Sequence, residues 1–387
     1  LRIVLTAILA TSLHGFEVTG LQVEHRVNPV GLDDRHPRFQ WQLSGETPGL
    51  AQSAYQIIVS NSAEALSAEN GDLWDSGKVV SNDAHVTYSG KELPSSAGIY
   101  WKVRSWSDAD EASPWSETQN YTTALIGSEP TAPWISFKDE SPFHKEAKKL
   151  DLPAPRYYRK SLNTDKKITR AIAYASALGI YELHLNGKRV GDTYFAPGWT
   201  NYRKRAYYTT YDITDNLQGG TNTLGAIVAD GWYAGYVAYG KLVGYGPYQT
   251  GRNIYGKTPA LMVQLELTYD DGSKETITTD PTWKVTTGPE FEADFLMGEG
   301  YDARKELGPW STNGYDDSTW QSATASADRH YEPGKLTTFS AYEFTSVDGR
   351  GREDEGFAGG NLHRNVVFEN GAPKRLFSTL DSTNPED

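Results

Sequence analysis

Residues 181–233 read YELHLNGKRVGDTYFAPGWTNYRKRAYYTTYDITDNLQGGTNTLGAIVADGWY. Tyr181, Leu183 and Leu185 alternate with Glu182 and His184, and a period of two marks a strand with one buried face. Asn186-Gly187 follows, a dipeptide that tolerates the positive φ angles of a tight hairpin, and Lys188-Arg189-Val190 begins the return strand. Pro197-Gly198-Trp199-Thr200-Asn201-Tyr202 is an aromatic-rich loop. Tyr207, Tyr208 and Tyr211 start another strand region, which runs through Gly219-Gly220 to a 224–228 strand and then Gly231-Trp232-Tyr233. Strands joined by Gly-rich turns predict a β-sandwich, and the wealth of Trp and Tyr predicts flat amphipathic surfaces on it.

The pattern continues on both sides. At 259–269, Leu261, Val263, Leu265, Leu267 and Tyr269 alternate with Gln264, Glu266 and Thr268, and Asp271-Gly272 predicts a second hairpin into 275–279. Upstream, short strand patterns sit between turn clusters: PRFQWQL at 37–43, AYQIIV at 54–59, WDSGKV at 74–79 and YWKVRSW at 100–106. About a hundred residues of this kind predict an immunoglobulin- or fibronectin-like sandwich, with Trp101 and Trp115 in its core and one short helix at 62–68. The fold expected is therefore all-β: a fibronectin/immunoglobulin-like sandwich over 19–125, a proline-rich linker over 126–156 in which Trp134-Ile135 docks on a neighbour, and a jelly-roll-like β-sandwich over 157–322.

Composition narrows the function. The 387 residues hold 37 Lys and Arg against 50 Asp and Glu, a net charge of −13, and no Lys/Arg-rich run. Nucleic acid and anionic membrane need basic surface to displace counterions, so neither is the expected partner. Cysteine is absent, which removes disulfides, thiolate metal sites and cysteine nucleophiles. No HExxH, GxSxG or GxxxxGK[ST] is present, and no dinucleotide fingerprint lies between a strand and a helix. The 3–13 run is apolar after Arg2 and leads into Ala10-Thr11-Ser12. It is read as the remnant of a secretory signal peptide over 1–18, against the alternative of a buried first strand, and places the protein outside the cytoplasm, secreted or periplasmic.

The run LNGKRVGD…PGWTNYRKRAYYTTYDIT…GGTNTLGAIVADGWY resembles the N-terminal β-sandwich of bacterial α-L-rhamnosidases, glycoside hydrolase family 78. PRFQW, AYQIIV, LWDSGKV, YWKVRSW and SPWSE are similar to the first domain of the same enzymes. GEGYDAR at 298–304 and YDDSTW at 315–320 extend the likeness to about residue 321. Beyond that the pattern departs: 323–387 is poor in aliphatics, 346–360 is read as loop or disorder, and the region is expected to be a divergent tail or the mark of a truncated or frame-shifted product. The resemblance implies inverting hydrolysis of terminal α-L-rhamnose by two glutamates on a helical toroid further along the chain, a domain this sequence does not resemble anywhere. The chain alone is therefore expected not to turn over substrate.

The resemblance also implies that the second sandwich, in some members, binds L-rhamnose with the help of Ca2+. A shallow sugar site needs an aromatic plane for C–H faces, amides or carboxylates for hydroxyls, and loop oxygens for a hard cation. Trp199, Asn201, Tyr202, Trp232 and Tyr233 are the candidate sugar contacts. Asn201, Asp230 and Asn253 are the candidate cation ligands, with carbonyls of the 245–256 loop. For each aromatic the competing role is core packing, and for each asparagine turn formation. Glu299 with Asp302, or Asp316 with Asp317, are the available substitutes for a catalytic pair, which inversion requires to be about 6.5–9.5 Å apart; carboxylates in loops more often cap turns. The expected partners are a rhamnose-containing glycan or glycoside and the catalytic domain of the parent enzyme. The alternatives are a free-standing L-rhamnose-binding protein and a structural accessory segment, in which Glu299, Tyr301 and Arg304 only fix the sandwich against its neighbour.

Overall fold

The computed structural model describes residues 16–45, 49–137, 149–237, 246–326, 340–347 and 361–368. Residues 1–335 form one unit and 336–387 another.

The first sandwich is built from two antiparallel sheets. One orders Phe16–Val23, Arg38–Gly45 and His85–Thr87; the other orders Trp74–Asp75, Gln52–Ser60, Gly98–Ser107 and Gln119–Thr122, with Val79–Val80 added to Gln52–Ser60. Alternation along the strands sends Phe39, Trp41, Ile57, Val59, Trp101 and Val103 into the space between them. Phe39 meets Trp101 at 4.7 Å between ring centroids. Burying such side chains removes about 1.5–3 kcal/mol of apolar exposure apiece. The buried Gln52 carbonyl accepts from Trp41 Nε1 at 2.9 Å and Ser105 Oγ at 2.7 Å, so this polar group is satisfied. The expected helix is present as Ala63–Ser67, capped by the Ser62 hydroxyl accepting from Ala65 N.

Two boundaries and one core assignment differ from the sequence reading. Residues 16–18, assigned to the leader, begin the first strand, with Phe16 and Val18 buried; the rest of the leader lies outside the described residues. Trp115 is half-buried rather than core, its ring covered by Arg104 at 4.6 Å and Lys102 at 5.1 Å. Inside the proline-rich linker, Ile135–Ser136 pairs with Ala260–Tyr269 and with Thr324–Ala325, so the second sandwich recruits strands from before and after its expected span. Proline keeps the linker from forming long strands, but a fully buried Ile135 still gains from closing the core.

In the second sandwich one sheet orders Lys188–Arg189, Ile180–Leu185, Gly220–Ala229, Arg156–Thr164, Lys284–Thr287 and Gln321–Ser322. The other orders Thr209–Asp212, Ile168–Leu178, Ala260–Tyr269, Ile135–Ser136 and Thr324–Ala325, with Lys274–Thr278 on the long Ala260–Tyr269 strand. Leu183, Leu185, Leu261, Val263, Leu265 and Leu267 fill the interior, as the period-two patterns require. The Asn186-Gly187 turn has φ of 50° and 83° and sets His184 opposite Arg189 and Leu185 opposite Lys188. A separate ribbon, Glu290–Asp294 with Gly298–Tyr301, stands off both sheets.

In the second unit, Ser340–Val347 and Asn361–Phe368 pair antiparallel. Ser346 and Val347, expected in a loop, belong to that strand; residues 348–360 lie outside the described residues.

Candidate functional site

Gly220–Ala229 ends in Asp230, and the single helical turn Gly231–Ala234 follows at once. Gly231 is required there: its φ is +50°, and a Cβ would fall 2.7 Å from Ile180 Cγ2 and 2.8 Å from the Gly179 carbonyl carbon. This close approach holds the half-buried Trp232 beside the aromatic loop. Trp199, 48% exposed, lies parallel to Trp232, with centroids 6.4 Å apart and planes within 4°. Trp232 also touches Phe295 at 4.9 Å and Phe195 at 6.1 Å.

Phe195 and Phe295 form part of the wall of a cleft of about 460 Å3. Its apolar surface includes Ile180, Ile227 and Ala229; its charged groups are Glu182, Arg189, Glu290, Asp294 and Glu299. Glu182 and His184 share a strand face, and the ring Nε2 meets Glu182 Oε1 at 2.8 Å. That hydrogen bond, together with the charges of His184 and Arg189, holds the Glu182 carboxyl below the usual glutamate range against the opposing effect of its partial burial. Glu290 accepts from the Tyr157 hydroxyl, and burial with that bond raises the tyrosine well above its ordinary value. Asp294 is buried and its pKa is raised by desolvation, although Tyr236 N, Leu296 N and Met297 N all donate to it.

The residues proposed from sequence separate into two groups. Trp199 is exposed, and Trp232 is half-buried against the cluster that holds Tyr202 and Tyr233. Tyr202 and Tyr233 are 3% and 5% exposed, packed edge-to-face on each other at 5.3 Å, within a small core that includes Leu178 and Ala260. Core packing wins for both because their rings fill the space under the loop, and Gly256 lies so near that a Cβ there would strike the Tyr233 hydroxyl at 2.1 Å.

The candidate cation ligands also divide. Asn201 is exposed, and its Oδ1 accepts from Arg203 N at 3.1 Å, the bond of a turn former. Asp230 is 2% exposed and pairs with Arg156 and Arg252, both themselves buried. A carboxylate neutralised by two guanidiniums offers little to Ca2+, so the structure removes Asp230 from the ligand set. Asn253 is buried at φ +57° with its N–H on Ala234 O. The three do not fit a calcium site, and among the described residues no cluster of three His, Cys, Asp or Glu could hold a metal. Tyr245, at the start of the proposed carbonyl loop, lies outside the described residues.

The substitute catalytic pairs fare similarly. Asp302 is bound by Arg304 Nε and Nη2 at 2.8 Å each, Asp317 pairs with Arg159, and Asp316 accepts from Ser318 N. Only Glu299 faces the cleft.

Sequence reasoning missed Glu182, Arg189, Phe195, Glu290 and Phe295. Glu182 could have been found, since the alternation already placed it on the outward face of the hairpin. Phe195 and Phe295 sit in loops without periodicity and carried no such signal.

Two family descriptions match the chain: "Rha78A-like, N-terminal immunoglobulin domain" over residues 18–127 and "Alpha-L-rhamnosidase N-terminal domain" over 166–340. An α-L-rhamnosidase of Formosa agariphila is 35% identical over 315 residues, covering 78% of this chain and 33% of the relative. One from Alteromonas sp. is 36% identical over 329 residues, covering 82% of this chain and 34% of the relative. Among solved structures, the α-L-rhamnosidase of Dictyoglumus thermophilum matches with a TM-score of 0.71 at 35% identity, over 86% of this chain and 37% of that one. The Streptomyces avermitilis α-L-rhamnosidase complexed with L-rhamnose matches with a TM-score of 0.73 at 28% identity, over 86% and 48%. The chain thus spans about a third of the length of the curated relatives cited here. It therefore carries the two N-terminal domains, immunoglobulin-like and β-sandwich, of the α-L-rhamnosidases of glycoside hydrolase family 78.

Proposed function

We propose that the second sandwich is a non-catalytic carbohydrate-binding domain, serving an exported α-L-rhamnosidase that removes terminal α-L-rhamnose by inversion. The observation that carries the sugar-binding reading is the Trp199–Trp232 pair, an exposed indole lying parallel to a half-buried one, next to a cleft lined by carboxylates. Large aromatic rings left in water at a cleft mouth are costly unless a ligand covers them. L-rhamnose is the sugar of choice because a related enzyme was solved with it. Calcium dependence rests on the resemblance alone, and Asp230 would not supply it.

A structural role is the second reading, favoured by the exposed Phe291, Leu296 and Tyr301 of the ribbon at 290–301, which suit docking of a further domain. Calorimetry of the purified chain with L-rhamnose, in calcium and then in EDTA, separates the two. Saturable binding supports the sugar site, and the EDTA arm tests the cation. No binding leaves the structural reading. Turnover of p-nitrophenyl-α-L-rhamnoside by the same sample would overthrow the non-catalytic assignment.

A further inference from the structure

The tryptophan pair adjoins the cleft, because Phe195 and Phe295 line the cleft and also touch Trp232. Clefts of about 300–1,000 Å3 bury drug-sized molecules, and about 460 Å3 exceeds what one sugar ring fills. Two aromatic side chains at its edge are left in water: Tyr194 is 75% and Phe195 54% exposed. Phe195 is held there at φ +57°, a conformation that L residues other than Gly, Asn and Asp seldom adopt.

Charge in the cleft is one-sided. Arg189 is its one cation among the lining residues; its Nε lies 2.9 Å from Glu182, its Nη2 donates to Thr193 O, and its guanidinium covers Tyr194 at 4.5 Å. Glu182 and Arg189 therefore offset each other. Glu290 and Glu299 have no further cation among the lining residues to offset them, and the Glu299 side chain is exposed. Carboxylates of this kind accept from sugar hydroxyls, whereas an anionic ligand would meet like charge at close range.

We propose that the cleft is a subsite for a second, uncharged sugar unit adjoining the one held at Trp199 and Trp232. The proposal rests on the sugar-binding reading above. Calorimetry on the full chain with three probes tests it: L-rhamnose, an α-L-rhamnosyl-hexose, and the α-L-rhamnosyl-hexuronic acid of the same linkage. At low salt, near 10 mM, the neutral disaccharide is expected to bind about tenfold tighter than L-rhamnose, while the acidic one gains little and recovers part of the difference as salt is raised. Glu299→Gln should bring the acidic disaccharide toward the neutral one, and Tyr194→Ala should lower disaccharide affinity more than that for L-rhamnose. A neutral disaccharide that binds no tighter than L-rhamnose overturns the subsite. An acidic disaccharide as tight as the neutral one, or tighter, overturns the selection against charge. If no probe binds, the underlying reading has failed and the subsite falls with it.

Discussion

Three positions separate Trp199 from Tyr202 in one loop, yet one ring is in solvent and the other in a core. Substitutions at the two should therefore report different things. Trp199→Ala is expected to weaken L-rhamnose binding about tenfold, roughly 1.4 kcal/mol, with an unchanged melting temperature; an unaffected affinity would dismiss the indole as a sugar platform. Tyr202→Ala should instead cost about 3–5 kcal/mol of stability through the cavity it leaves, visible as a large drop in the denaturant midpoint. Glu182 carries a pH dependence. Its carboxyl is held below the ordinary 4.5, so the native state binds its proton less readily than the unfolded chain does. The stability it contributes is present above pH 4.5 and is lost as pH falls through its lowered native value. Thermal melts at a series of pH values should show a flatter acid limb for Glu182→Gln than for the parent protein.

The hairpin of Ile180–Leu185 and Lys188–Arg189 is the element that brings Glu182 and Arg189 to the cleft. Its turn depends on Gly187, at φ +83°, where a Cβ would also stand 2.7 Å from Thr312 Cγ2. Gly187→Ala is expected to cost about 1–2 kcal/mol and to weaken sugar binding, because the register that sets His184 opposite Arg189 is disturbed along with the turn. Stability loss with affinity retained would show that the hairpin does not position the site. Asn186 ties the same turn to the sheet, its Oδ1 accepting from Thr223 N at 2.9 Å and its Nδ2 donating to Asn222 Oδ1 at 2.8 Å.

Across the first unit the two sandwiches are joined by a polar peg as well as by packing. Ser96 of the first sandwich donates from its hydroxyl to Glu266 at 2.5 Å, accepts there from Tyr174 at 2.7 Å, and offers its carbonyl to Arg170 Nη1 at 2.8 Å. Leu125 packs beside this socket on Ile172 and Tyr174, and burial pushes the Tyr174 hydroxyl up to about 12. Ser96→Ala leaves the carbonyl contact and the Gln264 bond to Glu266 but removes the acceptor of the buried Tyr174 hydroxyl, a loss of about 1–3 kcal/mol. Differential scanning calorimetry is expected to show the two sandwiches melting together in the parent and separately in Ser96→Ala. A mutant that still melts as one unit would mean that apolar packing alone couples the sandwiches.

Sequence by itself determined the elements whose signal is local: the Asn186-Gly187 and Asp271-Gly272 turns, the buried faces of Ile180–Leu185 and Ala260–Tyr269, the short helix near 62–68, and the family motifs that run through them. Backbone φ preferences and side-chain alternation are properties of a few neighbouring residues, so they are legible without a fold. The tertiary structure alone decided which aromatics face water, because Trp199 and Tyr202 share a loop and a chemistry and differ only in what packs beneath them. It decided likewise that Asp230 answers two buried arginines 74 and 22 positions away, and that the ribbon at 290–301 closes a cleft over the 180–185 strand. Those outcomes depend on long-range juxtaposition, which no period or spacing along the chain encodes.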